Sequence, residues 1–302
     1  MGGKILVVGS LNMDLVINVT RLPQIGETII GGKFNTFPGG KGANQAVAAA
    51  RMGASVTMIG RIGRDGFGAE LLKSAMKDGI DVRNILEDEK QATGVALITV
   101  NAQGQNTIVV ASGANNFLAP EDLHQAEQAF KGADLLVIQL ESPLETVREA
   151  INMAKQHQLQ VVLNPAPAQH LDADLLKNVD YFIPNEGEAL LVAGESSLKK
   201  AIEVLLKLDV RNLIITLGEK GVLLVDRAGQ KYIPAYQVKA IDTVAAGDTF
   251  VGAFSCGIST GLSVEESARL GNAAAAISVT RQGAQPSMPM REEVDQFLGG
   301  KG

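Results

Sequence analysis

The sequence has no tryptophan, three tyrosines and a single cysteine, Cys256, in 302 residues. One thiol excludes a disulfide framework and a cysteine-based zinc site. Cys256 falls inside an apolar helical pattern and reads as a buried structural thiol. Histidine is scarce too. His124, His157 and His170 stand in helical or loop contexts without partners at metal-ligand spacing, so they read as structural or solvated. No apolar run approaches the ~20 residues of a membrane span, and the one at the N-terminus is too short for a signal peptide. Lys and Arg do not cluster, and the formal net charge is −6, which argues against a nucleic-acid partner. These absences predict a cytoplasmic protein, without membrane or nucleic-acid contacts, in which any anion site is built locally.

What is present is a 46% hydrophobic composition, ample for one large domain over residues 1–302. The chain is organised around Asp242-Thr-Val-Ala-Ala-Gly-Asp248, where small residues lead into a helical pattern running from about Gly247 to Thr260. Ala245, Ala246 and Gly247 allow close approach of backbone to a ligand, and a helix N-terminus offers free N–H groups to a phosphate. Asp248 beside such a site repels an anion unless it takes a proton from an attacking hydroxyl. The alternative is a simple helix N-cap.

Ile5 to Val8 reads as a doubly covered strand, followed by Asn12 and Asp14, where either ligand contacts or Asx turns fit. Alternation over residues 14–37 (Val16, Asn18, Thr20, then Thr28, Ile30, Gly32, Phe34) predicts short antiparallel strands. With a hairpin over 93–111 around Asn101-Ala-Gln-Gly104, they form a small projecting β element, a lid or a dimer surface. Pro38-Gly-Gly-Lys-Gly-Ala-Asn44 opens an alanine-rich helix and lacks the Walker pattern; the glycines at 60–68 do not fit a dinucleotide fingerprint. From about residue 120, helices and strands alternate, with a single helix expected over Pro120 to Phe130. This predicts an α/β fold with a doubly wound, mostly parallel central sheet flanked by helices. Glu141, Asn164, Asn185 with Glu188, and Thr216 recur at strand ends, as a nucleotide cleft requires; each alone reads as a cap or turn.

The glycine-rich stretch from Gly39 through Gly53 and Gly63, Asn185-Glu-Gly-Glu188, and Asp242 to Asp248, in this order, resemble the motifs of the ribokinase and phosphofructokinase-B type family of sugar and nucleoside kinases. The resemblance spans nearly the whole chain. Leu11-Asn-Met-Asp14, Gly39 to Gln45 and Thr280-Arg-Gln-Gly-Ala-Gln-Pro-Ser287 look most like its ribose-phosphorylating branch. The resemblance implies D-ribose and ATP as substrates, with Asn12, Asp14, Gly40, Lys41, Asn44 and Glu141 on the sugar. It makes Asp248 the base, with an anion hole at Ala245, Ala246 and Gly247. Asn185, Thr216, Gly218, Lys220, Gly221, Gly247 and Asn272 would border the nucleotide, and Glu188 would order Mg²⁺ through water. Asp242, Val244, Ser278, Arg281, Gly283 and Ser287 match the positions around an activating K⁺. A homodimer through the lid is also expected. The family often has Thr-Gly where this chain has Val244-Ala245, which matters only where the second position needs positive φ. Other readings are a kinase for another furanose or a nucleoside, with low aromatic content (4%) against stacking a base, and a non-enzymatic sugar or nucleotide sensor.

Overall fold

Short apolar runs ending in polar residues recur along the chain, and most of them are strands of one sheet. The computed structural model describes residues 2–103 and 105–300. In chain order the strands are β1 Lys4–Val8, β2 Asn12–Asn18, β3 Phe34–Gly39, β4 Ser55–Gly63, β5 Asp81–Asp88, β6 Gly94–Val100, β7 Asn106–Ala111, β8 Leu135–Ile138, β9 Gln160–Leu163, β10 Tyr181–Phe182, β11 Asn212–Thr216, β12 Gly221–Val225 and β13 Gln230–Pro234. Among the described residues, nine strands form a sheet of order β13-β12-β11-β10-β9-β8-β1-β4-β5. Neighbours from β5 to β11 run parallel, and β12 and β13 add an antiparallel edge. The chain leaves β1 in one direction towards β5 and later fills the other side from β8 outwards. The strand order therefore reverses between β1 and β8, the place where open α/β sheets bind ligands.

Helices cover both faces because side chains alternate along each strand. Ile5 and Val7 pack with Ala46 and Val47 of the Lys41–Arg51 helix and with Phe250 and Phe254 of the Ala246–Ser259 helix. Leu6 and Val8 pack on the opposite face with Phe130, Val147 and Ile151. Each such side chain, fully removed from water, contributes roughly 1.5–3 kcal/mol. Cys256 lies buried against this body, and its thiol reaches the Met52 carbonyl. No helix among the described residues is long and apolar enough to cross a membrane.

A second sheet has the order β3-β2-β6-β7, with β2 and β6 parallel and the outer pairs antiparallel. Three sequence expectations are corrected here. The strand foreseen around residues 28–34 lies later, at Phe34–Gly39; the stretch before it meets β2 only through the Asn18 N–H to the Lys33 carbonyl and the Gly32 N–H to the Asn18 carbonyl. Asn12 and Asp14 do not form Asx turns, since both are in β2, paired across from Gly39 and Phe37. The helix over 120–130 breaks at Ala126 (φ −96°) into Pro120–Gln125 and Glu127–Lys131, with Leu123 and Phe130 both kept in the core. β5 was not foreseen, because an edge strand with charges at Asp81, Arg83, Glu87 and Asp88 carries little apolar pattern. Of the hairpin turn 101–104, Gly104 lies outside the described residues.

Candidate active site

Most residues at the site lie at the carboxyl end of a parallel strand or in the first turn of a helix. Ser10 follows β1, Gln139 and Glu141 follow β8, Asn164 follows β9, Asn185 follows β10, and Thr216 ends β11. Above them stand the first turns of the Lys41–Arg51 and Ala246–Ser259 helices, from opposite halves of the chain. A cavity of about 200 Å³ is lined by Lys41, Asn164, Ala166, Ile183, Asn185, Glu188, Thr216, Thr243, Ala245, Ala246, Gly247, Asp248 and Val251; Asn12, Asp14, Gly40, Asn44 and Glu141 are not part of its lining.

The Lys41–Arg51 helix starts where it does because Gly40 holds φ 86°, and a Cβ there would stand 2.7 Å from the Asn12 nitrogen. Gly42 permits the close approach of this helix to β1: an added Cβ would be 2.6 Å from the Gly9 carbonyl carbon. The Lys41 N–H then donates to Glu141 (3.0 Å), whose carboxylate also accepts the Ser10 hydroxyl (2.5 Å).

Asp248 is the third residue of its helix, and the N-cap position is Ala245, so the capping alternative does not hold. Its carboxylate is 7% exposed and turned towards the first helix: Asn44 Nδ2 donates to Oδ2 at 3.0 Å and Gln45 Nε2 to Oδ1 at 3.0 Å. Ala245 itself has φ 57°, left-handed backbone that costs a non-glycine residue about 1 kcal/mol. The position that the family often gives to glycine therefore does require positive φ. This strain turns the chain so that Gly247 and Asp248, in the first helical turn, present N–H groups without intrahelical acceptors.

Charge is distributed unevenly. Burial, then Glu141 and Asp248, push the Asp14 carboxyl up to about 7, with Lys41 opposing. Lys41 is raised above the ordinary lysine value chiefly by Asp248, with smaller contributions from Glu141, Glu188 and Asp14. Burial also raises Glu188, against the Asn185 N–H and Lys41. One ammonium thus faces four carboxylates, an arrangement suited to a ligand that brings cations or hydroxyl donors with it.

Asn185 and Glu188 form a reciprocal capping box at the Glu186–Ala193 helix, at 2.8 Å in both directions. Their capping role is thus realised, and the Glu188 carboxylate keeps lone pairs beyond that bond for a metal-bound water. Of the residues expected at the nucleotide, Thr216 bridges to Asn185, and Gly218 (φ 59°) and Gly221 (φ 121°) bend the chain around Lys220. The Lys220 carbonyl accepts the Ala235 N–H and the Tyr232 hydroxyl, while the Asn272 amide donates to the Pro234 carbonyl, so these stretches meet along one side.

Of the expected cation residues, Asp242 is bonded to two others. Its Oδ1 accepts the Val244 N–H (3.0 Å) and its Oδ2 the Gly283 N–H (2.9 Å), tying the anion-hole turn to the 278–287 loop. Ser278 and Ser287 donate to the Ala275 and Ala284 carbonyls, and the Arg281 guanidinium pairs with Glu293. Among the described residues there is no group of three or more His, Cys, Asp or Glu that could hold a metal.

Sequence reasoning missed several residues. Asn115, 2% exposed, pins Leu11 through both backbone groups and donates to Asn12 Oδ1 (2.8 Å). Gln285 donates to Asn44 Oδ1 (3.3 Å). Ser10, Gln45 and Gln139 were also not assigned roles; a polar residue ending an apolar strand was the available signal for Gln139.

The chain is 44% identical over 303 residues to a ribokinase of Haemophilus influenzae, covering 99% of each sequence. It is 38% identical over 300 residues to a deoxyribokinase of Salmonella typhi, covering 97% of this chain and 98% of that one. Among solved structures, a Thermotoga maritima ribokinase matches with TM-score 0.91 and 40% identity over 99% of this chain and 100% of its own. An Arabidopsis thaliana ribokinase complexed with ribose and ATP matches with TM-score 0.91 and 31% identity over 99% of both. A model of the pfkB family carbohydrate kinases matches residues 3–291. The chain belongs to the pfkB family of carbohydrate kinases.

Proposed function

We propose that this protein transfers the γ-phosphoryl group of ATP to O5 of D-ribose, giving ribose 5-phosphate and ADP. The observation that carries the reading is a buried carboxylate, Asp248, held by two amide donors at the head of a helix whose first-turn N–H groups line the same cavity as Lys41. The full-length likeness to ribokinases, one of them complexed with ribose and ATP, supports the substrates.

In this reading the ribose hydroxyls donate to Asp14 and Glu141 and accept from Lys41, Asn44 and the Asn12 amide, whose oxygen Asn115 already occupies. The Gly40 backbone closes the base of the sugar pocket. Asp248 accepts the O5 proton as that oxygen attacks phosphorus in line, and N–H groups from Ala245 and Gly247 stabilise charge on the transferred group; the Ala246 N–H also serves the Thr243 carbonyl (3.3 Å). Asn185, Thr216, Gly218, Lys220, Gly221 and Asn272 border the nucleotide. A divalent cation accompanies the ATP; Mg²⁺, held through water at Glu188, would offset the phosphate charge in a site with four carboxylates. K⁺ at Asp242 and the carbonyls of Val244 and the 278–287 loop would fix the strained turn without touching substrate. The small sheet acts as a lid, and its uncovered β7 edge supports a homodimer through it.

A second acceptor, 2-deoxyribose, is favoured by the likeness to a deoxyribokinase. ADP release measured with ribose, 2-deoxyribose, fructose and adenosine, each in K⁺ and in Na⁺, decides between them. Ribose-dependent turnover stimulated by K⁺ is the expected result. Turnover with another acceptor alone overturns the ribose assignment and keeps the kinase, and none with any acceptor favours a sensor.

A further inference from the structure

Behind the base lies a chain of buried amides that the phosphoryl-transfer chemistry does not itself use. Gln45 is 0% exposed and Gln139 is 1% exposed. Gln139 Nε2 donates to Gln45 Oε1 at 2.6 Å, and Gln45 Nε2 donates onwards to Asp248 Oδ1 (3.0 Å) and to Asn164 Oδ1 (3.1 Å). Asn164 Nδ2 is in turn committed to the Ile183 backbone carbonyl at 2.8 Å. A side-chain amide can reverse its ends, but a backbone carbonyl only accepts. The Ile183 carbonyl therefore forces Asn164 to show its oxygen to Gln45, and Gln139 supplies an N–H on the other side. Asn164 thereby fixes the orientation, with the Gln45 N–H₂ towards the base, and the Gln139 N–H holds the Gln45 oxygen that this leaves. A reversed Gln45 would set oxygen against both Asp248 and Asn164, and nitrogen against nitrogen at Gln139.

Gln139 Oε1 is a buried acceptor with no hydrogen-bond partner. It stands where a Cβ at Gly9 would come within 2.2 Å, so the glycine leaves room for it. A buried acceptor left unsatisfied opposes folding, and an apolar side chain of that shape would avoid it. Its retention is accounted for by what the other end of the amide does, which is to fix Gln45.

We propose that Gln45 and Gln139 are positioning residues for the phosphoryl transfer: Gln139 holds the Gln45 oxygen in place, and Gln45, through Oδ1, sets the rotation in which the Asp248 carboxylate meets the sugar hydroxyl. The inference rests on Asp248 being the base, and on the other oxygen being held independently by Asn44. Gln45 sits in the Lys41–Arg51 helix at the switch point and Asp248 in the other half of the chain. The amide chain therefore aligns the base with the half of the molecule that carries the sugar contacts.

The test uses the full-length protein with Gln45→Met, Gln139→Met and the double variant, which keep length and flexibility and remove the donors. Thermal melts confirm that each variant folds. Gln45→Met lowers kcat by roughly ten- to a hundredfold with little change in sugar KM, less than removal of the base itself. The acid limb of its kcat profile moves to higher pH, since a hydrogen bond to the charged form has been removed. Gln139→Met gives a smaller fall in kcat, and adds nothing in the Gln45→Met background, because it acts only through that residue. A crystal structure of Gln45→Met shows the Asp248 carboxylate rotated about its Cβ–Cγ bond, a readout that needs no substrate. Unchanged kcat, an unmoved pH profile and an unrotated carboxylate overturn the proposal, as do additive losses in the double variant. Should the wild-type protein turn over no sugar, the assignment as a kinase fails, and the rotation in the crystal structure still decides whether the amide chain orients Asp248.

Discussion

β8 and the middle of β7 are both aliphatic runs: Leu-Leu-Val-Ile in the first is at most 1% exposed, while in the second, Asn-Thr-Ile-Val-Val-Ala, Val109 is 65% exposed and all six residues are open to solvent. The strands differ in what lies beside them. β8 sits between β9 and β1 with helices on both faces, whereas β7 is the edge of a four-stranded sheet. Burial, and with it most of the stabilisation, is thus a property of layering rather than of the strand's own sequence. The proposed base, Asp248, and the strained turn at Ala245 belong to the layered body. Asn12 and Asp14, the proposed contacts for the sugar, lie where β2 leaves that body for the small sheet. The layered part is buried on both faces, and the small sheet ends in an open strand.

The sharpest way to break this division is at the base. Asp248→Asn is expected to lower kcat by roughly two to four orders of magnitude while nucleotide binding, read by calorimetry, is kept. Retention of most of the activity would place the chemistry elsewhere. Next come paired truncations in the two sheets. Leu136→Ala should destabilise by about 2–5 kcal/mol in urea unfolding and Val109→Ala by no more than about 0.5 kcal/mol. Comparable losses would mean that the small sheet is covered in solution, as in the proposed dimer.

Asp14 tests the junction. Its carboxyl is raised to about 7 when folded, above the ordinary value of 3.8, so the folded protein binds more protons between these limits. Its burial therefore opposes folding most above pH 7, and the opposition is relieved as pH falls towards 4. Asp14→Asn should accordingly gain stability at pH 8 and lose that advantage near pH 4. The same variant should raise sugar KM by about tenfold or more, and should lack the fall in kcat/KM below pH 7 that is expected of the wild type as Asp14 takes up its proton. A stability difference independent of pH would remove Asp14 as the group concerned.

Val109→Lys addresses the open edge. Sedimentation should show a dimer for the wild type and a monomer for the variant, with only a small shift in melting temperature; a monomeric wild type ends the dimer reading. The smallest effect is expected at Ala245→Gly. Relief of the left-handed strain, about 1 kcal/mol, is opposed by 0.4–1 kcal/mol from the freer unfolded chain, so stability should change by less than about 1 kcal/mol. A large loss would show that the Ala245 methyl group packs usefully.

Much of the body was legible because parallel strands covered on both faces are continuous apolar runs punctuated by polar ends. Ile5 to Val8 and Leu135 to Ile138 are of this kind, and the recurrence of Glu141, Asn164, Asn185 and Thr216 marked the cleft. The small sheet was read less well. Alternation set residues 28–34 as a strand, yet the partner of β2 is Phe34–Gly39, because pairing depends on register with a distant segment. β5 escaped because an edge strand buries too little to carry a pattern.

Sequence alone determined the family motifs, the helix start that bears Asp248 and the place of the cleft, since these follow from local residue type and order. It could name Ala245 as unusual but not say that its φ is 57°, because backbone sign is set by the turn it must complete. Only the tertiary structure decided which amides face Asp248 and that Ile183 fixes their polarity, because those partners lie 119 to 204 positions apart along the chain, except for the Asn164–Ile183 link.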